Sequence, residues 1–175
     1  IEDKHILIVG DFDADGATAS AVAIKALRLM GAKHVDFLVP NRFKHGYGLS
    51  PEIVKEAKRE KEPDLIITVD NGISSNEGAE LARSLDIDVI ITDHHLPPNE
   101  LPNANAIINP NLRGCDFPSK NLAGVGVSFY LFSSLKTHLV EKGYFEKNNI
   151  QNPDLRVLLD LVALGTVADV VKLDQ

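Results

Sequence analysis

The sequence predicts an α/β fold: a doubly wound, mainly parallel five-stranded sheet of order 2-1-3-4-5, with helices on both faces and a helical C-terminal part. Three features predict it. Short runs dominated by Ile, Val and Leu recur along the chain, amphipathic stretches of helical length separate them, and after Pro110 the strand-like runs stop. His5–Val9 reads as the first strand, and Thr18–Met30 as the helix after it, closed by Gly31. Val35–Val39 is the second strand. Ser50 opens the helix Pro51–Lys61, with proline in the first turn, where its missing N–H costs nothing. Leu65–Val69 is the third strand, Ser75–Leu85 the next helix, and Val89–Thr92 and Ala106–Ile108 the last two strands. Their continuous apolar character, without polar alternation, is that of strands covered on both faces. Gly124–Lys142 and Pro153–Val167 read as helices with no strand between them, a helical cap on the sheet.

Composition narrows the classes of function. With 175 residues and 44% hydrophobic content, the chain can bury one substantial core. Its first residue is Ile1 and its one methionine is Met30, so it is expected to be a piece of a longer protein. A single cysteine, Cys115, rules out a disulfide within the chain and fits a reducing, cytoplasmic setting. No run has the length of a membrane span, and no signal-peptide pattern is present. The net charge of −7 argues against a domain that grips nucleic acid by bulk electrostatics. Bound cations would cancel part of that charge.

The polar residues cluster where strands end. Asp11, Asp13 and Asp15 follow the first strand, Asp70-Asn71-Gly72 the third, and Asp93-His94-His95 the fourth. A 2-1-3-4-5 sheet sets strands 1 and 3 side by side, and its ligand crevice opens at that point, so Asp13, Asp15 and Asp70 should converge with the histidines beside them. Crowded carboxylates resist ionising together unless a cation neutralises them. Carboxylates with an imidazole suit Mn²⁺, Mg²⁺ or Fe²⁺, and an aspartate can bridge two ions. Ion pairs roughly 3.5–4 Å apart are the standard arrangement for phosphoester hydrolysis, with water as the nucleophile. Each cluster alone has a plainer reading. Asp15-Gly16 and Asp70-Asn71-Gly72 are good turn sequences, and His94-His95 could be a solvated loop pair. Turn chemistry would have to recur at three strand ends that the winding rule brings together.

Asp93-His94-His95 after an apolar strand, with the Asp-x-Asp of Asp13 and Asp15, resembles the DHH phosphoesterase superfamily. GDFDADG at 10–16, PNRFKHGYGL at 40–49, VDNGIS at 69–74, ITDHH at 91–95, LAGVGVSF at 122–129 and ALGTVADVV at 163–171 are similar to its RecJ branch of single-strand-specific exonucleases. The resemblance covers the catalytic DHH domain and implies that residues 1–175 are that domain, detached from C-terminal nucleic-acid-binding domains.

The resemblance also implies a site. Asp13 and Asp15 would each ligate a metal, Asp70 would bridge the pair, His94 would be a ligand, and Asp169 would complete the site from the last helix. By pattern alone Asp169 is an ordinary helix-end aspartate. Some relatives carry a histidine ligand where this chain has Val9, so Asp11 either takes over that role or supports the ligands. Asp93 reads as the carboxylate that orients a histidine. His95 would face the scissile phosphate, and Arg42 would clamp a phosphate bidentately, unless it is a solvated loop arginine. Gly124 and Gly126 precede a helix, so N–H groups of Ala123–Val127 could receive a phosphate, or the glycines could serve tight packing. Phe43, Tyr47, Phe129, Tyr130 and Phe132 offer either base-stacking surface or core.

The implied function is two-metal hydrolysis of single-stranded DNA from the 5′ end, releasing mononucleotides in recombination and repair. The cofactor would be two Mn²⁺ or Mg²⁺ ions. The partners would be single-stranded DNA, a single-strand-binding protein and a recombination or repair helicase, with no membrane involved. A sister activity on the same fold is the alternative: oligonucleotide or cyclic-dinucleotide phosphodiesterase, or pyrophosphatase. A phospho-acceptor signalling domain also gathers aspartates at strands 1 and 3, but it should carry a lysine after strand 5. Here that position reads Asn109-Pro110.

Overall fold

Five short strands pair in parallel in the order β2-β1-β3-β4-β5. The computed structural model describes residues 4–41 and 45–174, so Arg42 and Phe43 lie outside the described residues. The strands are β1 (Ile6–Val9), β2 (Val35–Leu38), β3 (Leu65–Val69), β4 (Asp88–Thr92) and β5 (Ala106–Ile108). Ile8 pairs with Phe37 on one side and Ile67 on the other, which makes β1 an interior strand beside β3. Successive side chains leave opposite faces of the sheet. Ile8, Ile67 and Val69 therefore enter one core with Ala19, Val22, Val125 and Phe132, while Leu7, Val9, Ile66 and Ile91 enter a second with Ile53, Val54 and Ala82.

Helices α1 (Ala14–Leu29) and α4 (Gly124–Glu141) supply the first core, and α2 (Pro51–Glu60) and α3 (Asn76–Ser84) the second. Burial on both faces is why the strands carry almost no polar residues. Ser50 caps α2, accepting from the Ile53 N–H, with Pro51 in the first turn.

Two helices differ from the sequence reading. Helix α1 starts at Ala14 rather than Thr18, because Asp13 is its N-cap and its Oδ1 accepts the Gly16 N–H at 2.8 Å. An aspartate there satisfies one of the orphan donors of the first turn, so Asp15 lies inside the helix. The segment expected to be one helix over Pro153–Val167 is a 3₁₀ turn, Leu155–Leu158, followed by α6 (Leu159–Ala168). Asp154 holds the turn by accepting from the Arg156 N–H at 3.0 Å. A one-turn helix, α5 (Tyr144–Lys147), follows Gly143, whose φ of 63° ends α4. No helix among the described residues is long and apolar enough to cross a membrane.

Candidate metal centre

The sheet ladders run to the ends of the strands and carry the acidic residues with them. Asp70 N–H donates to Thr92 O at 3.0 Å and Asp93 N–H to Ile108 O at 3.1 Å, so the ends of β3, β4 and β5 are in step. Asn71 joins β1 to β3, its Nδ2 donating to Val9 O at 3.0 Å and Val69 O at 2.9 Å. Asp11 and Asp70 thereby sit on adjacent strand ends, with Asp13 and Asp15 at the start of α1.

Helix α4 enters from above. Its first two N–H groups, of Gly124 and Val125, donate to the Asp15 carboxylate at 2.6 and 2.9 Å. The next two, of Gly126 and Val127, donate to Ala123 O. The helix N-terminus thus receives Asp15, and these four N–H groups are engaged within the protein rather than open to the phosphate that the glycines suggested. The glycine at 124 has a packing cause, since a β-carbon there would collide with the Asp70 carboxyl group. Gly165 does the same for α6: a β-carbon would come within 2.9 Å of Asp15 Oδ1. That close approach sets Asp169, the C-cap of α6, beside the cluster.

Three overlapping groups result, each with candidate ligand atoms within 4.8 Å of one another: Asp11, Asp13 and Asp70; Asp15, His94 and Asp169; and Asp70, His94 and His95. His94 Nε2 lies 3.2 Å from Asp70 Oδ1, 3.7 Å from Asp169 Oδ2 and 3.9 Å from Asp15 Oδ2. Despite that proximity, neither Asp70 Oδ1 nor His94 Nε2 has an aligned hydrogen-bond partner among the described residues, and both are buried. Buried polar atoms are nearly always satisfied. Two orphans facing each other in a carboxylate–imidazole set fit a divalent cation.

The electrostatics agree. Burial raises the pKa of Asp11 and Asp15 and pushes Asp70 up to about 7. Burial alone would lower His94, but the Asp70 carboxylate outweighs it and the net shift is upward. These are the shifts of a site short of positive charge.

Asp93 is built differently. It is 1% exposed, and its Oδ1 accepts His95 Nδ1–H at 2.7 Å together with the N–H groups of His94 and His95, while Oδ2 accepts the Ile73 N–H. Those bonds outweigh its burial and hold its pKa below the usual carboxylate range. In return the hydrogen bond to Asp93 lifts the His95 pKa to about 9, which favours the charged imidazolium at neutral pH. Its side chain is 47% exposed.

The structure brings together Asp11, Asp13, Asp15, Asp70, His94 and Asp169, with Asp93 and His95 alongside. Arg42 lies outside the described residues. Of the aromatic candidates, Phe132 is core and Phe129 packs partly buried against it, whereas Tyr130 meets Phe117 and half-exposed Tyr47 stands edge-on to His95, ring centres 6.1 Å apart. Asn71 was missed from sequence. Its neighbours in Asp-Asn-Gly look like turn chemistry, and only the fold reveals the strand it reaches across to.

Carboxylates and imidazoles gathered at the C-terminal ends of strands 1, 3 and 4 define the class: the chain belongs to the DHH family, whose N-terminal domain matches residues 5–166. Within it, the chain is 62% identical over 173 residues to the single-stranded-DNA-specific exonuclease RecJ of Escherichia coli (strain K12), covering 99% of this chain and 30% of that protein. It thus spans about a third of the length of such relatives. A crystal structure of exonuclease RecJ bound to manganese superposes with a TM-score of 0.76 at 35% identity, over 97% of this chain and 40% of that one. RecJ of Thermus thermophilus in complex with Mn²⁺ gives 0.72 at 31% identity, over 97% and 22%.

Proposed function

We propose that residues 1–175 form a DHH catalytic domain that hydrolyses phosphodiester bonds of single-stranded DNA with two divalent ions, Mn²⁺ or Mg²⁺. The observation that carries this reading is the buried pair Asp70 Oδ1 and His94 Nε2, 3.2 Å apart and without an aligned hydrogen bond among the described residues, which links two sets of carboxylates. In this reading Asp11, Asp13 and Asp70 would hold one ion, and Asp15, His94 and Asp169 the other, with Asp70 standing 3.2 Å from His94 between the two sets and able to serve both. When bound, such a pair supplies neutralisation of phosphoryl charge and activation of the attacking water.

The chain's own groups do the rest. Asp15 is fixed by two N–H donors of α4, and Asp13 by its cap on α1, so both carboxylates are oriented before anything binds. His95, held charged by Asp93, donates its outer N–H to a non-bridging phosphoryl oxygen as charge builds there. By similarity to the family, Arg42, which lies outside the described residues, is assigned the clamping of a second oxygen. Action from the 5′ end, release of mononucleotides, a role in recombination and repair, and a cytoplasmic setting come from similarity to the RecJ proteins. A single-strand-binding protein and a repair helicase are proposed as partners on the same ground.

The test is hydrolysis, with Mn²⁺, of a 5′-phosphorylated single strand against duplex, pyrophosphate and a dinucleotide. Mononucleotides from the single strand alone are expected. Preferential cleavage of the dinucleotide or of pyrophosphate would instead assign the chain to a sister activity of the family.

A further inference from the structure

We propose that Asn111, in the Asn109-Pro110-Asn111 turn after β5, is a positioning residue that clamps the peptide between His94 and His95 and so sets the divergence of their two rings. The inference rests on the metal-dependent reading above. His94 and His95 lie outside regular secondary structure, so no ladder fixes their backbone. Side chains do so instead. The peptide joining them is gripped on both edges: its N–H, from His95, donates to Asp93 Oδ1 at 3.0 Å, and its C=O, from His94, accepts from Asn111 Nδ2 at 2.6 Å. The next carbonyl, of His95, accepts from Asn109 Nδ2 at 2.9 Å.

A peptide held on one edge can still tilt, and tilting this one turns the two residues relative to each other. Held on both, it keeps His94 Nε2 toward Asp70 and His95 Nδ1 on Asp93, with ring centres 4.5 Å apart and planes inclined by 58°. The turn that supplies the clamp is itself rigid. Asn109 Oδ1 accepts the Asn111 N–H at 2.8 Å, and Lys120 Nζ donates to both Pro110 O and Cys115 O at 2.6 Å. Asn109 is 3% exposed, whereas Asn111 is only partly buried.

That difference in burial separates positioning from mere structural support. In the full-length protein, Asn111→Ala should weaken Mn²⁺ binding about 10–100-fold, the usual effect of losing a partner that orients a ligand, and should lower kcat. Asn109→Ala should cost more stability, because it empties a more buried site and frees both the His95 carbonyl and the Asn111 N–H, yet weaken Mn²⁺ binding less, since it leaves the Asn111 side chain to bond the His94 carbonyl directly. Mn²⁺ affinity is read by calorimetric titration, stability by thermal melting and kcat with a single-stranded oligonucleotide. Affinity loss that follows melting temperature, largest in Asn109→Ala, would overturn the clamp, and so would unchanged affinity in Asn111→Ala. Should Asn109→Ala fail to fold, the Asn111→Ala titration decides alone. A wild-type protein that binds Mn²⁺ but cleaves no nucleic acid would sink the proposed function and leave the clamp to be judged on affinity.

Discussion

Asp70 occupies the left-handed backbone region with φ of 64°, which aspartate enters more readily than most side chains but still at a cost relative to glycine. It is also 1% exposed, and its Oδ1, 3.2 Å from His94 Nε2, has no aligned hydrogen bond among the described residues. Strain and an orphaned acceptor at one residue are the signature of a group kept for function at the expense of stability. Asp70→Asn should therefore raise the ion-free melting temperature at pH 8 while lowering hydrolysis about a thousandfold or more, a split visible by melting and by oligonucleotide assay. A near-normal rate would remove Asp70 from the centre of the site. Asp93→Asn tests the neighbouring pair. Asp93 holds His95 at about 9, and without the carboxylate His95 should fall back toward its ordinary 6.5. Since the charged form is the useful one, the variant's loss relative to wild type, about 10–100-fold, should be larger at pH 8 than at pH 6. An equal deficit at both values would mean that His95 does not act through its charge.

At the scale of elements, the strands and the winding order were legible because buried parallel strands leave an unmistakable trace of Ile, Val and Leu. The start of α1 was not, since Asp13 serves as cap and candidate ligand at once, and a helix beginning inside an acidic cluster has no apolar period to announce it. Asp169 was legible only through family resemblance. Nothing local marks it, and its place in the site depends on α6 approaching α1 closely at Gly165. Asn109 and Asn111 were invisible for a related reason, because a side chain bonded to a distant backbone carbonyl imposes no spacing on the sequence. The glycine contacts make an element-scale prediction. Gly124→Ala would push a methyl group against the Asp70 carboxyl, so urea denaturation should show a loss of about 1–3 kcal/mol together with weaker Mn²⁺ binding. Stability lost with binding intact would mean that the α4–Asp70 contact is packing alone.

For the whole molecule, the site couples folding to protons and cations. Asp11, Asp15 and Asp70 have folded-state pKa values above the unfolded 3.8 because they are buried, so stability present at low pH is lost as pH rises through the folded values, up to about 7 for Asp70. His95 acts in the same sense at higher pH, its contribution being complete below 6.5 and lost as pH rises toward about 9. Asp93 is shifted downward, and its window lies at acid pH, below this range. Without divalent ions the melting temperature should thus fall between pH 5 and pH 8, and millimolar Mn²⁺ should restore most of it at pH 8, because binding to the folded state stabilises by mass action. A flat ion-free profile would contradict the idea that buried carboxylate charge strains the fold.

The central claim is most directly tested by the manganese anomalous signal from crystals soaked in Mn²⁺. We expect two peaks roughly 3.5–4 Å apart, one held by Asp11 and Asp13 and the other by Asp15, His94 and Asp169, with Asp70 touching both. A single peak, none, or peaks away from these side chains would contradict it.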